Sequence, residues 1–102
     1  MLDYTQHKRK FFPVKLPDGT VLHLLMPKKK TFEKMAQLEE TEVEGVEGIN
    51  DLYNITAEIL SNNLQKKKYI GDKVGEMLDI DEVKMLYSGY LEFVSGIKND
   101  PN

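Results

Sequence analysis

The chain has 102 residues, of which 40% are hydrophobic and 30% are charged, and it contains no cysteine. This length and composition predict one globular domain with a modest core, and they argue against a disordered chain. The missing cysteine excludes disulfides, thiolate metal sites and cysteine nucleophiles. No stretch has the roughly 18 apolar residues that cross a membrane, and the polar start lacks the apolar segment of a secretory signal. We therefore expect a cytoplasmic protein without membrane contact.

Charge is distributed unevenly along the chain. Residues 1–34 carry eight Lys/Arg against three Asp/Glu, residues 35–60 carry seven acids and no Lys or Arg, and residues 61–102 are mixed. Charge runs usually mark solvated loops and helix faces. The alternative is that the acidic block steers association with a basic partner.

The first predicted elements form a β-hairpin, which follows a flexible basic arm over residues 1–10. Two apolar runs, at 11–16 and 20–26, flank Pro17-Asp18-Gly19. Asp-Gly between apolar runs is typical of a tight turn, because Gly adopts positive φ easily. Pro13 lacks an N–H group, so the first strand is expected at the edge of a sheet.

Alternation along both strands separates the hairpin into two faces. One face carries Phe12, Val14, Leu16, Leu22, Leu24 and Met26, and the other carries Phe11, Val21, His23 and Leu25. The second face is unusually apolar for a surface. Either a helix covers it, or it is exposed for a partner.

The stretch from residue 31 to about residue 64 predicts two helices separated by a loop. Thr31 is a candidate N-cap for the first helix, over residues 31–40. Its inward side chains are expected to be Phe32, Met35, Ala36 and either Gln37 or Leu38. Residues 41–48 read as a mobile acidic loop, and the second helix then runs from about Asn50. The lysine run at 66–68 would complement the dipole at the end of this helix.

The remainder predicts a linker and a third long helix. Residues 69–75 read as a linker with Gly71 and Gly75, and residues 76–78 as a short turn for which a helical conformation is left open. Asp79 is placed to cap the last helix, because Glu82 completes a capping box three residues later. This helix is expected to end near Lys98, before a C-terminal tail at 99–102.

Apolar residues on the two longer helices recur at steps of three and four, which places each set on one helix face. The sets are Ile49, Leu52, Tyr53, Thr56, Ile59 and Leu60, then Val83, Leu86, Tyr87, Tyr90, Leu91 and Val94. The tyrosines among them are interpreted as core residues with hydroxyls at the rim, rather than as catalytic acids. The whole pattern predicts a single α+β domain over 11–98, an N-terminal β-hairpin or small antiparallel sheet packed against about three α-helices.

No pattern in the sequence selects an enzyme. The two histidines, His7 and His23, have no carboxylate at a recognisable ligand spacing, so no metal or other cofactor is expected. General acid–base catalysis needs a carboxyl group with a shifted pKa in a cleft, whereas the glutamates of residues 39–47 fall in the predicted loop. Residues 45–48 lack the Lys-Ser/Thr of a phosphate-binding loop. We therefore expect a non-enzymatic binding or assembly protein.

The lysine runs at 28–30 and 66–68 support an alternative function. Clustered positive charge with aromatic residues nearby, here Phe11, Phe12 and Tyr69, is typical of nonspecific nucleic-acid binding. The net charge of −3 disfavours that interpretation. Both runs also flank predicted helix ends, where capping explains them. A small nucleic-acid-binding accessory protein is therefore the second hypothesis.

Three motifs follow one another over most of residues 11–97. They are the hairpin at 11–20, the helix end and basic turn at 52–68, and the capped helix start at 78–82 with residues 90–94 beyond it. In order and spacing they resemble the small tail assembly chaperones of long-tailed, siphovirus-type phages and prophages of Gram-positive bacteria. The motifs consist of packing and capping residues, so no catalytic residue is carried over from the family.

The resemblance implies a chaperone in the cytoplasm of the bacterial host. It would bind the tape-measure protein during tail assembly and help to recruit the tail-tube protein; self-association and a longer frameshifted form are left open. A holdase for a long helical client needs exposed apolar surface. The candidate partner-binding residues are Phe11, Val21 and Leu25 on the outer hairpin face, or Met85 and Phe93 off the main stripe of the last helix. Either set could instead contact another part of the core.

Overall fold

The computed structural model describes residues 1–40 and 45–96. These residues form a two-stranded antiparallel sheet and four α-helices, which confirms the predicted α+β class with an N-terminal hairpin. A short 3-10 turn, Tyr4–Gln6, precedes the sheet. The elements are β1 (Phe12–Lys15), β2 (Val21–Leu24), α1 (Lys29–Glu40), α2 (Gly45–Ser61), α3 (Gly71–Met77) and α4 (Ile80–Ser95).

The hairpin has the predicted turn. Gly19 takes φ of 92°, and the Leu16 N–H group donates to the Thr20 carbonyl at 2.8 Å. The Asp18 carboxylate accepts a hydrogen bond from the Thr20 N–H group at 2.9 Å, and this bond lowers the pKa of Asp18. Residues 12–15 pair with residues 24–21 in register, so the predicted division into two faces is correct for the paired residues.

The inner face of the hairpin joins the core. Leu16, Leu22 and Leu24 are buried, and Phe12 and Val14 are half-buried against them. Met26, which was predicted on this face, lies beyond the end of β2 and is exposed.

Helix α2 is the central element, because it packs against α1, α3, α4 and β2. Its buried residues are Leu52, Ile55, Thr56, Ala57, Ile59 and Leu60. Ile55 and Ala57 lie outside the predicted stripe, while Ile49, which was predicted within it, is exposed. A helix with neighbours on several sides buries more than one stripe, and this accounts for the difference.

The segment after α2 covers the outer edge of β2. The Leu25 N–H group donates to the Asn62 carbonyl at 2.9 Å, and the Leu64 N–H group donates to the His23 carbonyl at 3.1 Å. The buried Asn63 side chain organises this segment through hydrogen bonds to Leu60 and to both backbone groups of Lys67. The opposite strand, β1, is therefore the edge strand, as Pro13 predicted.

Three tyrosine hydroxyls connect the helices to other elements, and each donates to a backbone carbonyl. Tyr53 of α2 reaches Leu78 at 2.9 Å, between α3 and α4. On α4, Tyr87 reaches Met35 of α1 at 3.2 Å, and Tyr90 reaches Leu25 beyond β2 at 2.6 Å. The predicted burial is correct for Tyr87 and Tyr90, while Tyr53 is half-buried. The predicted position of the hydroxyls at the rim is wrong for Tyr87, whose hydrogen bond to Met35 is buried.

The prediction for α1 was partly wrong. The helix begins at Lys29, so Thr31 lies inside it and its hydroxyl donates to the Glu58 carboxylate rather than capping the helix. Met35 is buried and Leu38 is half-buried, but Phe32 and Ala36 are exposed. Helix α1 packs mainly on α2, and Tyr87 of α4 reaches it at Met35. A helix that packs mainly against one neighbour buries a narrow stripe.

Two predicted loops contain helix. Residues 45–48 form the first turn of α2 instead of an acidic loop, and residues 41–44 lie outside the described residues. The predicted linker at 69–75 contains the start of α3, which is anchored by the fully buried Val74. Helix α2 ends at Ser61, so the lysine run at 66–68 follows the helix and is not part of its last turn. The Lys68 ammonium group nevertheless donates to the Ser61 carbonyl at the helix end, at 3.4 Å, which agrees with the predicted complement to the helix dipole.

The start of α4 matches the sequence pattern. Asp79 accepts from the Glu82 N–H group at 2.8 Å, and the Glu82 side chain accepts from the Asp79 N–H group at 2.8 Å. The helix ends at Ser95, where Gly96 takes a left-handed conformation with φ of 73°. The predicted end at Lys98 and the tail at 99–102 lie outside the described residues.

Candidate functional site

A shallow groove lies between β1 and the N-terminal half of α4. Its volume is about 460 Å³. The residues that line it come from β1 with its turn and from the start of α4: Phe12, Pro13, Val14, Lys15, Leu16, Pro17, Leu78, Glu82, Met85 and Leu86. None of these residues belongs to β2, so the groove runs along the free edge of the sheet. We call it the β1–α4 groove.

The floor of the β1–α4 groove rests on an aromatic cluster. The ring of Phe12 lies 6.1 Å from the Tyr90 ring and 5.6 Å from the Phe93 ring. Gly89 allows this ring to approach α4 closely, because a Cβ atom at that position would lie 3.1 Å from Phe12 Cζ. The fully buried Tyr90 fixes the cluster in the core. The floor is therefore a well-packed surface.

Met85 is the most exposed apolar side chain of the β1–α4 groove, with 72% of its surface accessible. An unbranched thioether side chain adapts its shape to many apolar partners. A packed floor beside an exposed methionine is an arrangement suited to binding apolar side chains of another protein.

The structure separates the five predicted partner-binding residues. Phe11 and Val21 are exposed on the outer hairpin face, where the Phe11 ring packs edge-on against His23 at 6.1 Å. Leu25 is half-buried at the end of the hairpin, and Phe93 is half-buried within the aromatic cluster. Met85 alone of the five lines the β1–α4 groove.

The sequence interpretation missed the strand side of the β1–α4 groove. Val14 and Leu86 were assigned to the core, yet both line the groove and are half-buried. Two features of the sequence lie in this region: Pro13 predicted that β1 is an edge strand, and Met85 was predicted outside the main apolar face of the last helix. Neither feature indicated that the two elements lie side by side.

A second cleft lies between the N-terminal arm and the end of β2. It has a volume of about 430 Å³ and is lined by His7, Arg9, Lys10, Leu25, Met26 and Lys28. Leu25 and Met26 form its apolar floor, and the cations surround them. We call it the basic cleft.

A third cleft, between α1 and α2, is polar and holds about 420 Å³. Lys34 forms an ion pair there with Glu58, which also accepts a hydrogen bond from Thr31. Gln37, Asp51 and Asn54 complete its polar lining, and Leu38 and Ile55 add apolar surface. Within residues 1–40 and 45–96, no three His, Asp or Glu side chains gather in a group that could hold a metal ion. In the same part of the chain, no helix combines the length and apolar character needed to span a bilayer.

The buried tyrosines have strongly raised pKa values. Burial raises the pKa of Tyr87 to about 12, with a smaller contribution from the charge of Glu39. Burial also raises the pKa of Tyr90. The hydroxyls of Tyr87 and Tyr90 therefore stay protonated and act as hydrogen-bond donors. These shifts accompany bonds to backbone carbonyls and fit a role in packing.

Comparison with known proteins adds no relative: the chain matches no protein-family model, no curated protein and no solved structure.

Proposed function

We propose that this chain is a non-enzymatic phage tail assembly chaperone that acts in the cytoplasm of a bacterial host. It binds the tape-measure protein and helps to recruit tail-tube subunits. The observation that carries this proposal is the β1–α4 groove, in which exposed Met85 stands beside an apolar floor. The order of the hairpin, the basic turn and the capped helix supports the same function by resemblance.

The β1–α4 groove suits an amphipathic helix of the client. Such a helix inserts side chains at steps of three and four into an apolar groove. The accessible floor includes Val14 and Leu86, which offer aliphatic contact, and Lys15 and Glu82 stand at the margin with opposite charges. Protein–protein interfaces usually have an apolar centre and a polar rim, and the groove, with its apolar floor and polar margin, has the same arrangement.

Strand addition to β1 is the less suitable binding mode. In an antiparallel pair, the backbone groups of alternate residues point toward the partner strand and away from it. Since Leu16 bonds to Thr20 across the hairpin, Pro13 and Lys15 direct their backbone groups to the free edge. Pro13 has no N–H group to donate there, which interrupts the ladder that an added strand needs.

Co-purification tests the proposal. The full chain is co-expressed with a tagged tape-measure protein, and the amount retained is compared between wild type and Met85→Asp. Because Met85 is exposed, the variant should fold, and a charge in the groove should weaken binding by about 30-fold, as for a central interface residue.

Val46→Asp is the matched control, because Val46 is 75% exposed on α2 and lies outside the groove. It should leave binding within about twofold, as expected of a surface change that touches no interface. If wild type and Met85→Asp bound the tape-measure protein equally well, the β1–α4 groove would not be the binding site. Failure of the wild-type chain to bind the tape-measure protein would overturn the proposed function itself.

Nucleic-acid binding is the second candidate function, and one observation favours it. Thr31, directly after the lysine run at 28–30, and Lys68, in the second run, line the same shallow cleft. The end of the first run is therefore next in the chain to a residue of the cleft that Lys68 lines. Binding to duplex DNA that weakens steeply with salt would support this function, and absence of binding at low salt would exclude it.

A further inference from the structure

The basic cleft has a floor whose backbone is fixed at several points. The Leu25 N–H group donates to Asn62, and the Leu25 carbonyl accepts from the Tyr90 hydroxyl at 2.6 Å. The Met26 carbonyl accepts from the Asn62 side-chain amide at 3.0 Å. The side chains of Leu25 and Met26 are therefore presented by a preorganised backbone, which reduces the entropy cost of binding.

The rim of the basic cleft is positively charged and belongs mostly to the N-terminal arm. Arg9, Lys10 and Lys28 line it together with His7. Among the described residues that line the cleft, none is Asp or Glu. The described hydrogen bonds of the arm join residues 3–7 to one another, and Arg9 and Lys10 beyond them line the cleft beside the end of β2.

We propose that the basic cleft is a second protein-binding site, which takes a short acidic segment bearing aliphatic side chains. The apolar floor receives one or two aliphatic side chains, and the cations pair with the flanking carboxylates. This site is separate from the β1–α4 groove, and it goes beyond the proposed function because it adds a partner of different chemistry.

Two properties of the basic cleft favour an acidic peptide over nucleic acid. Single-stranded nucleic acids bind by stacking their bases on aromatic rings, but Leu25 and Met26 are aliphatic. The ring of Phe11, which follows Lys10 in the chain, does not line the cleft and packs edge-on against His23. In addition, residues 35–60 carry seven acids and no Lys or Arg, and this negative block repels a long nucleic acid, with a charge on every phosphate, more strongly than a short peptide with few carboxylates.

Fluorescence anisotropy with synthetic peptides tests this site on the full chain. The probe is a short fluorescein-labelled peptide of Glu and Leu, and the comparison peptides replace Leu by Ser or Glu by Gln. We expect the Glu/Leu peptide to bind about tenfold more tightly than either comparison peptide, since each lacks one of the two recognition features.

Protein variants locate the binding. Lys10→Glu/Lys28→Glu should weaken binding of the Glu/Leu peptide by about tenfold or more, whereas Lys73→Glu/Lys84→Glu, with the same change in net charge on α3 and α4, should change it by less than about threefold. Met26→Ser should weaken binding several-fold, because Met26 is 43% exposed on the floor. All substituted side chains are exposed, so circular dichroism should show folded proteins.

Several results would overturn the proposal. If the Glu/Ser peptide bound as tightly as the Glu/Leu peptide, charge attraction alone would explain the binding and the apolar floor would have no role. Tighter binding of a labelled oligodeoxythymidine, lost in Lys10→Glu/Lys28→Glu, would identify the cleft as a nucleic-acid surface. Self-association that is lost in the same variant would identify a second copy as the occupant. No binding of the Glu/Leu peptide at low salt would exclude the site, while leaving the test of Met85 and the tape-measure protein unaffected.

Discussion

The Tyr90 hydroxyl joins α4 to the end of the hairpin through a hydrogen bond. The substitution Tyr90→Phe measures how much this hydrogen bond contributes to the stability of the fold. The substitution removes one oxygen and keeps the ring, which is fully buried against Phe12 and Phe93. It also breaks the 2.6 Å hydrogen bond to the Leu25 carbonyl. The change therefore separates the hydrogen bond from the packing of the ring.

The expected cost follows from the surroundings of that carbonyl. A neutral hydrogen bond contributes about 0.5–1.5 kcal/mol net, and an acceptor left buried without a partner costs more. Leu25 is half-buried, so water can reach its carbonyl in part. We therefore expect Tyr90→Phe to lower the free energy of unfolding by about 1–1.5 kcal/mol and Tm by roughly 4–10 °C.

Urea unfolding followed by circular dichroism provides the measurement, with the m-value checked for constancy. Tyr53→Phe is the matched comparison, because its 2.9 Å bond to Leu78 belongs to a half-buried side chain and should contribute less. Tyr90→Ala should cost about 3–5 kcal/mol, since the ring is lost as well. A Tyr90→Phe variant as stable as wild type, within about 0.3 kcal/mol, would refute the role assigned to the hydroxyl.

Four further outcomes are expected. Asp79→Ala should destabilise the protein by about 1 kcal/mol through loss of the capping box, and unchanged urea unfolding would contradict this. Asn63→Ala should cost about 2–4 kcal/mol, because three hydrogen bonds of a buried amide are lost, and near-neutral behaviour would show that water replaces them. Gly89→Val should cost about 1–3 kcal/mol, since its side chain meets the ring of Phe12, and a stabilised variant would show that the ring moves aside. Finally, stability should fall as pH rises from 10 to about 12, because the folded chain retains the Tyr87 and Tyr90 protons that the unfolded chain has lost. The slope of stability against pH should shrink in Tyr87→Phe, and an unchanged slope would assign it to Tyr90 and other groups.

Local signals in the sequence specified the elements that depend on neighbouring residues. Asp18-Gly19 between apolar runs predicted the hairpin turn, and Asp79 with Glu82 predicted the start of α4, because these interactions span three residues or fewer. The same locality explains the failure at α3. A helix of seven residues with two glycines has too few turns for apolar residues to show a helical spacing in the sequence. Its only buried residue is Val74.

The composition of the candidate sites was only partly accessible from the sequence. Phe11, Val21, Leu25, Met85 and Phe93 were selected because they stand off the predicted core faces. Whether each is covered depends on the neighbouring element: Phe93 packs on Phe12, whereas Met85 faces open space beside β1. The basic cleft was missed because Leu25 and the arm cations are brought together by the path of the arm, which has no periodic pattern.

The sequence by itself determined the class of the fold, the hairpin with its edge strand, and the two faces of that hairpin. Turns, caps and alternation are set by backbone geometry within a few residues, so they can be read without a structure. The tertiary structure alone decided that α2 lies at the centre, that residues 62–65 cover β2, and that β1 and α4 leave a groove between them. Those features join residues far apart in the chain, and their positions depend on the packing of all the elements at once.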